Sequence, residues 1–152
     1  MRNVYKVLAY LVAILVAVQS AMAVWGDSGL NKWIAEGGVL DKSVSESGEA
    51  PFPEVLGLVV HGLNGKIVIP IVALLLLMSS FWAKVDGAVR AAALVLLLVV
   101  LQIGFGTFSG SLPLVGAVHG VNALLLFVVA LHAARRPAAA VAAPEPHPVA
   151  RG

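Results

Sequence analysis

The sequence predicts an all-α fold: an integral membrane four-helix bundle, up-down-up-down, built from two diverged helical hairpins. Three observations carry this. The 152 residues are 60% hydrophobic and 12% charged, with a mean hydropathy of +0.96, well above the apolar share of ordinary soluble domains. Four apolar runs, about 4–25, 55–82, 89–108 and 114–134, each reach the roughly 20 residues that a helix needs to cross a bilayer. A short pattern also recurs: Val60-His61-Gly62-Leu63-Asn64 in the second run returns as Val118-His119-Gly120-Val121-Asn122 in the fourth. One domain, 1–136, therefore holds all four helices, with an external loop at 26–54 and an Ala- and Pro-rich cytoplasmic tail at 137–152 that reads as disordered.

Composition excludes several chemistries. The chain contains no cysteine, so disulfides, iron–sulfur clusters, thiolate metal sites and cysteine nucleophiles are ruled out. Its charges are sorted by side. Arg2, Lys6, Lys84, Arg90, Arg135, Arg136 and Arg151 fall on one side, whereas the other holds Lys32 and Lys42 among Asp27, Glu36, Asp41, Glu46, Glu49 and Glu54. By the positive-inside rule both termini are cytoplasmic and the expected location is the bacterial cytoplasmic (inner) membrane. No basic groove interleaved with aromatics argues for nucleic acid.

The first run begins with Arg2 and Lys6 and contains Ala21-Met22-Ala23, features shared with a signal peptide and its small-residue cleavage site. It continues to Trp25, however, and its Gln19 is matched by Gln102 in the third run, so it is read as a retained structural helix. The external loop is acidic and rich in Gly and Ser; within it Asn31 to Leu40 is expected as a short amphipathic helix on the membrane surface, and Ser43 to Pro53 as a flexible linker. Pro51-Phe52-Pro53-Glu54 opens the second membrane helix, with a carboxylate at the positive end of its dipole. Pro70 should kink that helix and free the carbonyl of Lys66, because proline has no N–H to donate one turn back. Asp86-Gly87 turns the chain into the third helix, in which Gly104 and Gly106 thin the far end. Pro113 starts the fourth as a first-turn proline.

The repeated motif is where chemistry is expected. His61 is the seventh residue of its helix and His119 follows Pro113 by six, so at about 1.5 Å per residue both lie on the order of 10 Å below the same ends of the bundle. Histidine inside a membrane is costly unless it faces the interior and finds a partner. Two at matched depth suit a metal held between facing helices, and paired imidazoles without thiolate or carboxylate fit a six-coordinate haem iron better than zinc, which lacks its third ligand here. The expected site is thus His61 and His119 as ligands to haem b. Gly62 and Gly120 would leave room for a flat macrocycle, Asn64 and Asn122 near the same face would orient a backbone carbonyl, a propionate or the histidine itself, and Gln102 lies at the same depth. Lys66 sits about 140° around the helix from His61, placed either to snorkel or to meet an anionic group such as a propionate. His132 and His147 receive no role.

These residues resemble one four-helix half of the haem A synthase family, in which a histidine near the outer end of the second helix pairs with one near the outer end of the fourth. The resemblance rests on His61, His119, the passage Leu101-Gln102-Ile103-Gly104 through Pro113 to His119-Gly120-Val121-Asn122-Ala123, and the long loop after the first helix. It covers roughly 1–136, and the chain is also similar to small uncharacterised four-helix bacterial membrane proteins. The resemblance implies haem ligation and electron relay. It does not imply catalysis: where the family's catalytic half carries an acidic residue three positions before its second-helix histidine this chain has Leu58, and the cysteine pair of the first external loop is missing.

The expectation is therefore a b-type haem protein with bis-histidine ligation, acting in electron transfer or haem handling, and more a binder than an enzyme. Two alternatives stay open, a small transporter or channel subunit and an accessory subunit of a larger membrane complex. The expected partners are the lipid bilayer, a redox partner or membrane complex, and by repeat logic a second copy of the chain.

Overall fold

The computed structural model describes residues 1–139. It contains α1 (Arg2–Ala35), α2 (Lys42–Glu46), α3 (Val55–Ser80), α4 (Ala88–Phe108) and α5 (Pro113–Arg135). All but α2 are long and apolar enough to cross a membrane. α1 and α4 each pack against both α3 and α5, so the four long helices form a closed up-down-up-down square with α3 and α5 on one diagonal. The chain is a multi-pass bundle, as its hydropathy predicts. One end of it carries the chain's start, the 81–87 turn and the last residues of α5; this is the terminal end. The opposite end, with the 36–54 connection and the turn before Pro113, is the loop end.

Small side chains set the packing at the terminal end. Tyr5, Ala9, Val12 and Val16 recur along one stripe of α1 and meet Ile69, Ala73 and Leu76 of α3, Ala88, Ala92, Val95 and Val99 of α4, and Leu126, Ala130 and Ala133 of α5, all buried. The alanines at these positions let the backbones approach closely, which is how membrane helices gain dispersion contacts. The outward faces are apolar too: Leu97 is 54% exposed, Val128 60% and Leu124 70%. A continuous belt of this kind is unfavourable in water and neutral in lipid.

Three elements differ from the sequence expectation. α1 does not stop at Trp25 but continues to Ala35, so residues expected in the external loop and in a separate surface helix are a helical extension of the first span. The reason is local packing: Gly26 and Gly29 are buried against Leu58 and Glu54, with no room for a Cβ at either glycine, so the extension stays zipped to the start of α3. Asn31 donates to the Asp27 carbonyl one turn back at 2.9 Å, and the helix ends only at the turn containing Gly37, whose φ is +98°. Trp33 then closes over Gly38 and stacks on Phe52 with ring centroids 5.7 Å apart. Second, the expected linker contains the short α2. Asp41 caps it, accepting from the Ser43 hydroxyl at 2.6 Å and the Val44 N–H at 3.0 Å; these bonds hold its carboxyl below the usual carboxylate range.

Third, the disruption expected at Pro70 takes the form of a π turn over Asn64–Val68, in which the Ile69 N–H reaches the Asn64 carbonyl. Widening the turn just before the proline absorbs its missing donor within a continuous helix. Of the tail expected at 137–152, residues 137–139 pair with the 84–86 turn, through Asp86 N–H to Pro137 O at 3.2 Å and Ala139 N–H to Lys84 O at 3.0 Å. The remainder, His147 included, lies outside the described residues.

Candidate functional site: a histidine pair above the bundle core

The packed core ends abruptly one turn above Val16, Ile69, Val99 and Leu126. These four side chains floor a cavity of about 260 Å³ whose walls include Gln19, His61, Gln102 and His119. A second cavity of about 190 Å³, lined by Gly62, Lys66, Ile103, Gly106 and Thr107, shares the same four polar residues and Gly65. The larger opens along the α1 and α5 side, the smaller along the α3 and α4 side. The histidine pair stands between them, with ring centroids 6.2 Å apart and planes inclined by 63°.

Each histidine is held by the neighbouring hairpin strand of helix in the same way. The His61 Nδ1–H donates to the Gln19 backbone carbonyl at 3.0 Å, and the His119 Nδ1–H donates to the Gln102 carbonyl, also at 3.0 Å. A carbonyl only accepts, so both rings are fixed with the proton on Nδ1 and a lone pair on Nε2. Asn64 repeats the logic one turn later, donating to the Leu15 carbonyl at 3.2 Å and to the Gln19 side-chain oxygen at 2.9 Å. Asn122 donates to the Leu98 carbonyl at 3.0 Å and to the Gln102 side-chain oxygen at 2.6 Å. The quartet Leu15, Gln19, His61, Asn64 thus corresponds position by position to Leu98, Gln102, His119, Asn122, and the two hairpins are built to one pattern.

The halves part at the glutamine amides. The Gln19 Nε2–H donates to the His61 backbone carbonyl at 2.7 Å, whereas the Gln102 Nε2–H donates to the His119 Nε2 at 3.2 Å. His119 therefore has its lone pair occupied, and His61 does not: no hydrogen bond among the described residues reaches its Nε2. Asn64 Oδ1 is likewise buried without a partner, the one such side-chain atom among the described residues. Leaving a buried acceptor unsatisfied costs about 1–3 kcal/mol, and it sits directly beneath the histidine pair.

The residues expected at the site occupy these positions. Gly62 and Gly120 have open space where a side chain would be, Gly62 at the smaller cavity and Gly120 at the larger. Gly104 is also open, whereas Gly106 receives the His119 ring so closely that a Cβ would lie 3.0 Å from its Cε1. Lys66 is exposed, makes no ion pair or hydrogen bond among the described residues, and lines the smaller cavity with His61; the π turn brings it to the side that regular helical spacing denies it. Two further contributors stand out. Gln19 belongs to the network as fully as Gln102, a role signalled only by its matching place in the first run. Gly65 makes room for it, since a Cβ there would lie 2.3 Å from the Gln19 amide. No third His, Cys, Asp or Glu joins the pair among the described residues.

Donor chemistry fits a haem. Two neutral imidazoles with Nδ1 bonded to a carbonyl is the arrangement that orients histidine ligands and raises their basicity. The space is less ready: ligand sites typically measure about 300–1,000 Å³, and the cavities on either side of the histidine pair measure about 260 and 190 Å³. Comparison with protein-family models, characterised proteins and solved structures finds no match. What fold and site define is thus a class, a multi-pass four-helix bundle with a symmetric histidine pair in its interior.

Proposed function

We propose that the chain binds one b-type haem between His61 and His119 and serves in electron transfer or haem handling. The observation that supports this reading best is the fixed tautomer on both sides: each imidazole is turned by a backbone carbonyl so that Nε2 is the group it offers. The two rings that would hold the group lie with centroids 6.2 Å apart. With both histidines engaged, the group would supply electron-transfer chemistry. His61 and His119 would hold it, Gln19 and Gln102 would keep the ligands aimed, and Lys66 at the smaller cavity is placed to meet a propionate. No residue is assigned a catalytic role.

In this reading the protein resides in a bacterial cytoplasmic membrane with the arginine-rich terminal end on the cytoplasmic side. The test is to purify the chain, add haem and record its absorption. The expected result is a Soret band and a sharp α-band upon reduction; no bands in the wild type, or bands unchanged in both His61→Ala and His119→Ala, would contradict it. A second reading, a small transporter or channel subunit, is favoured by Lys66, which lines the smaller cavity and makes no ion pair among the described residues. It predicts solute flux in liposomes that Lys66→Ala abolishes and haem removal leaves intact.

A further inference from the structure

At the terminal end, far from the histidine pair, a groove of about 290 Å³ runs between the start of α4 and the end of α5. Its mouth carries two arginines, Arg90 and Arg136, with His132 between them and the apolar part. Its inner wall is apolar: Ala91 and Leu94 on α4 face Val128 and Val129 on α5.

Helix electrostatics account for part of this charge and not for the rest. Arg135 lies in the last turn of α5, where a cation suits the negative end of the dipole. Arg90 lies in the first turn of α4, where a cation is unfavourable, and the helix N-terminus there has no side-chain cap because its N-cap residue is Gly87. Among the described residues no carboxylate forms an ion pair with Arg90 or Arg136. The two ion pairs among the described residues, Lys32–Glu36 and Lys42–Glu46, are at the loop end, and Asp86 contributes its backbone carbonyl. Arg136 is held in place, donating from Nε to that carbonyl at 2.6 Å, with its guanidinium seated on Gly87, where a Cβ would collide, and Nη1 3.4 Å from His132 Nε2. The pairing of 137–139 with 84–86 fixes the backbone around it.

We infer that this groove is a binding site for an anionic glycerophospholipid, the phosphate held by Arg90, Arg136 and the start of α4, and an acyl chain lying along Ala91, Leu94, Val128 and Val129. A free phosphate would use the basic mouth alone. The apolar wall, with Leu94 44% and Val128 60% exposed and continuous with the head-group end, is what selects a lipid. Basic pockets between helices at a membrane boundary recognise such head groups. The inference is independent of haem.

The test uses the full chain in nanodiscs of phosphatidylcholine containing a small fraction of phosphatidylglycerol, with lipid retained after extraction counted by native mass spectrometry. The wild type should retain one phosphatidylglycerol in preference to phosphatidylcholine by on the order of tenfold, through the attraction of basic residues for anionic lipid at the membrane surface. Arg90→Gln, at a residue with no hydrogen bond or ion pair among the described residues, should lose most of that preference with unchanged helix content; Arg90→Gln with Arg136→Gln should lose all of it. The pair Arg2→Gln with Lys6→Gln removes equal charge from the same end outside the groove and should leave the preference intact. Loss in that control to the same extent, no preference in the wild type, or complete competition by inorganic phosphate would overturn the inference.

Discussion

Gln102 performs three tasks at once. Its side-chain oxygen fixes Asn122 and its amide occupies the His119 lone pair, while its own backbone carbonyl aims the same ring. Interhelical bonds of this kind contribute about 0.6 kcal/mol on average in a membrane and at most about 1.7, so the amide is a latch that a metal–nitrogen bond can readily displace. Gln19, its counterpart, donates to a backbone carbonyl instead and blocks no ring nitrogen. Gln102→Leu should therefore tighten haem binding by about two- to tenfold, the equivalent of one hydrogen bond's net 0.5–1.5 kcal/mol. Gln19→Leu should not tighten it. A haem titration that finds both substitutions equal would show that the asymmetry between the halves has no functional weight.

The element on which the site depends most is the π turn of α3. Pro70 removes one donor, the helix widens over Asn64–Val68, and Lys66 and Gly65 consequently face the histidine cavities. With Pro70→Ala the residue regains its N–H, and a regular helix would rotate the 55–63 segment by about one residue, 100°, relative to the segment below. The expected outcome is a higher unfolding temperature, since an interior proline costs about 3 kcal/mol, together with weaker haem binding. If thermal unfolding rises and the haem titration is unchanged, the turn has no part in the site. This turn shows where sequence reading runs short. Pro70 announces a break in the helix, but which carbonyls rearrange depends on Gln19 pressing on Gly65 from α1, and that contact is not local. α1 is a similar case: Asp27, Ser28 and Asn31 read as loop by polarity, yet none of them forbids a helix, and Gly26 and Gly29 lock the extension against Leu58 and Glu54. The four spans, by contrast, were legible because an apolar run of sufficient length admits little else in a bilayer.

At the scale of the whole molecule, the bundle divides into a packed half and an open half. Alanine-rich stripes close the terminal end, and the paired His-Gly-x-Asn segments lie where that packing stops. The repeat made this arrangement readable in advance: equal spacing from helix starts placed both histidines at one depth, and the Gln19 to Gln102 match anticipated two copies of one network. It could not reveal that only one ring would be capped. The outward face makes a separate prediction. Leu97→Arg, in mid-span on the lipid side, should impede insertion by about 2.5–3.5 kcal/mol, seen as lost yield in the membrane fraction. Leu114→Arg, at a helix start and 79% exposed, should be tolerated; equal tolerance of both would argue against a lipid-facing surface.

The central claim, that His61 and His119 are the two axial ligands of one haem, is tested most directly by the spin state of the iron in single variants. With both imidazoles bound, electron paramagnetic resonance of the oxidised wild type should give a purely low-spin signal. His61→Ala and His119→Ala should each convert it to high spin while retaining haem, and the double variant should bind none. A high-spin wild type, or a low-spin signal that survives either substitution unchanged, would contradict the account.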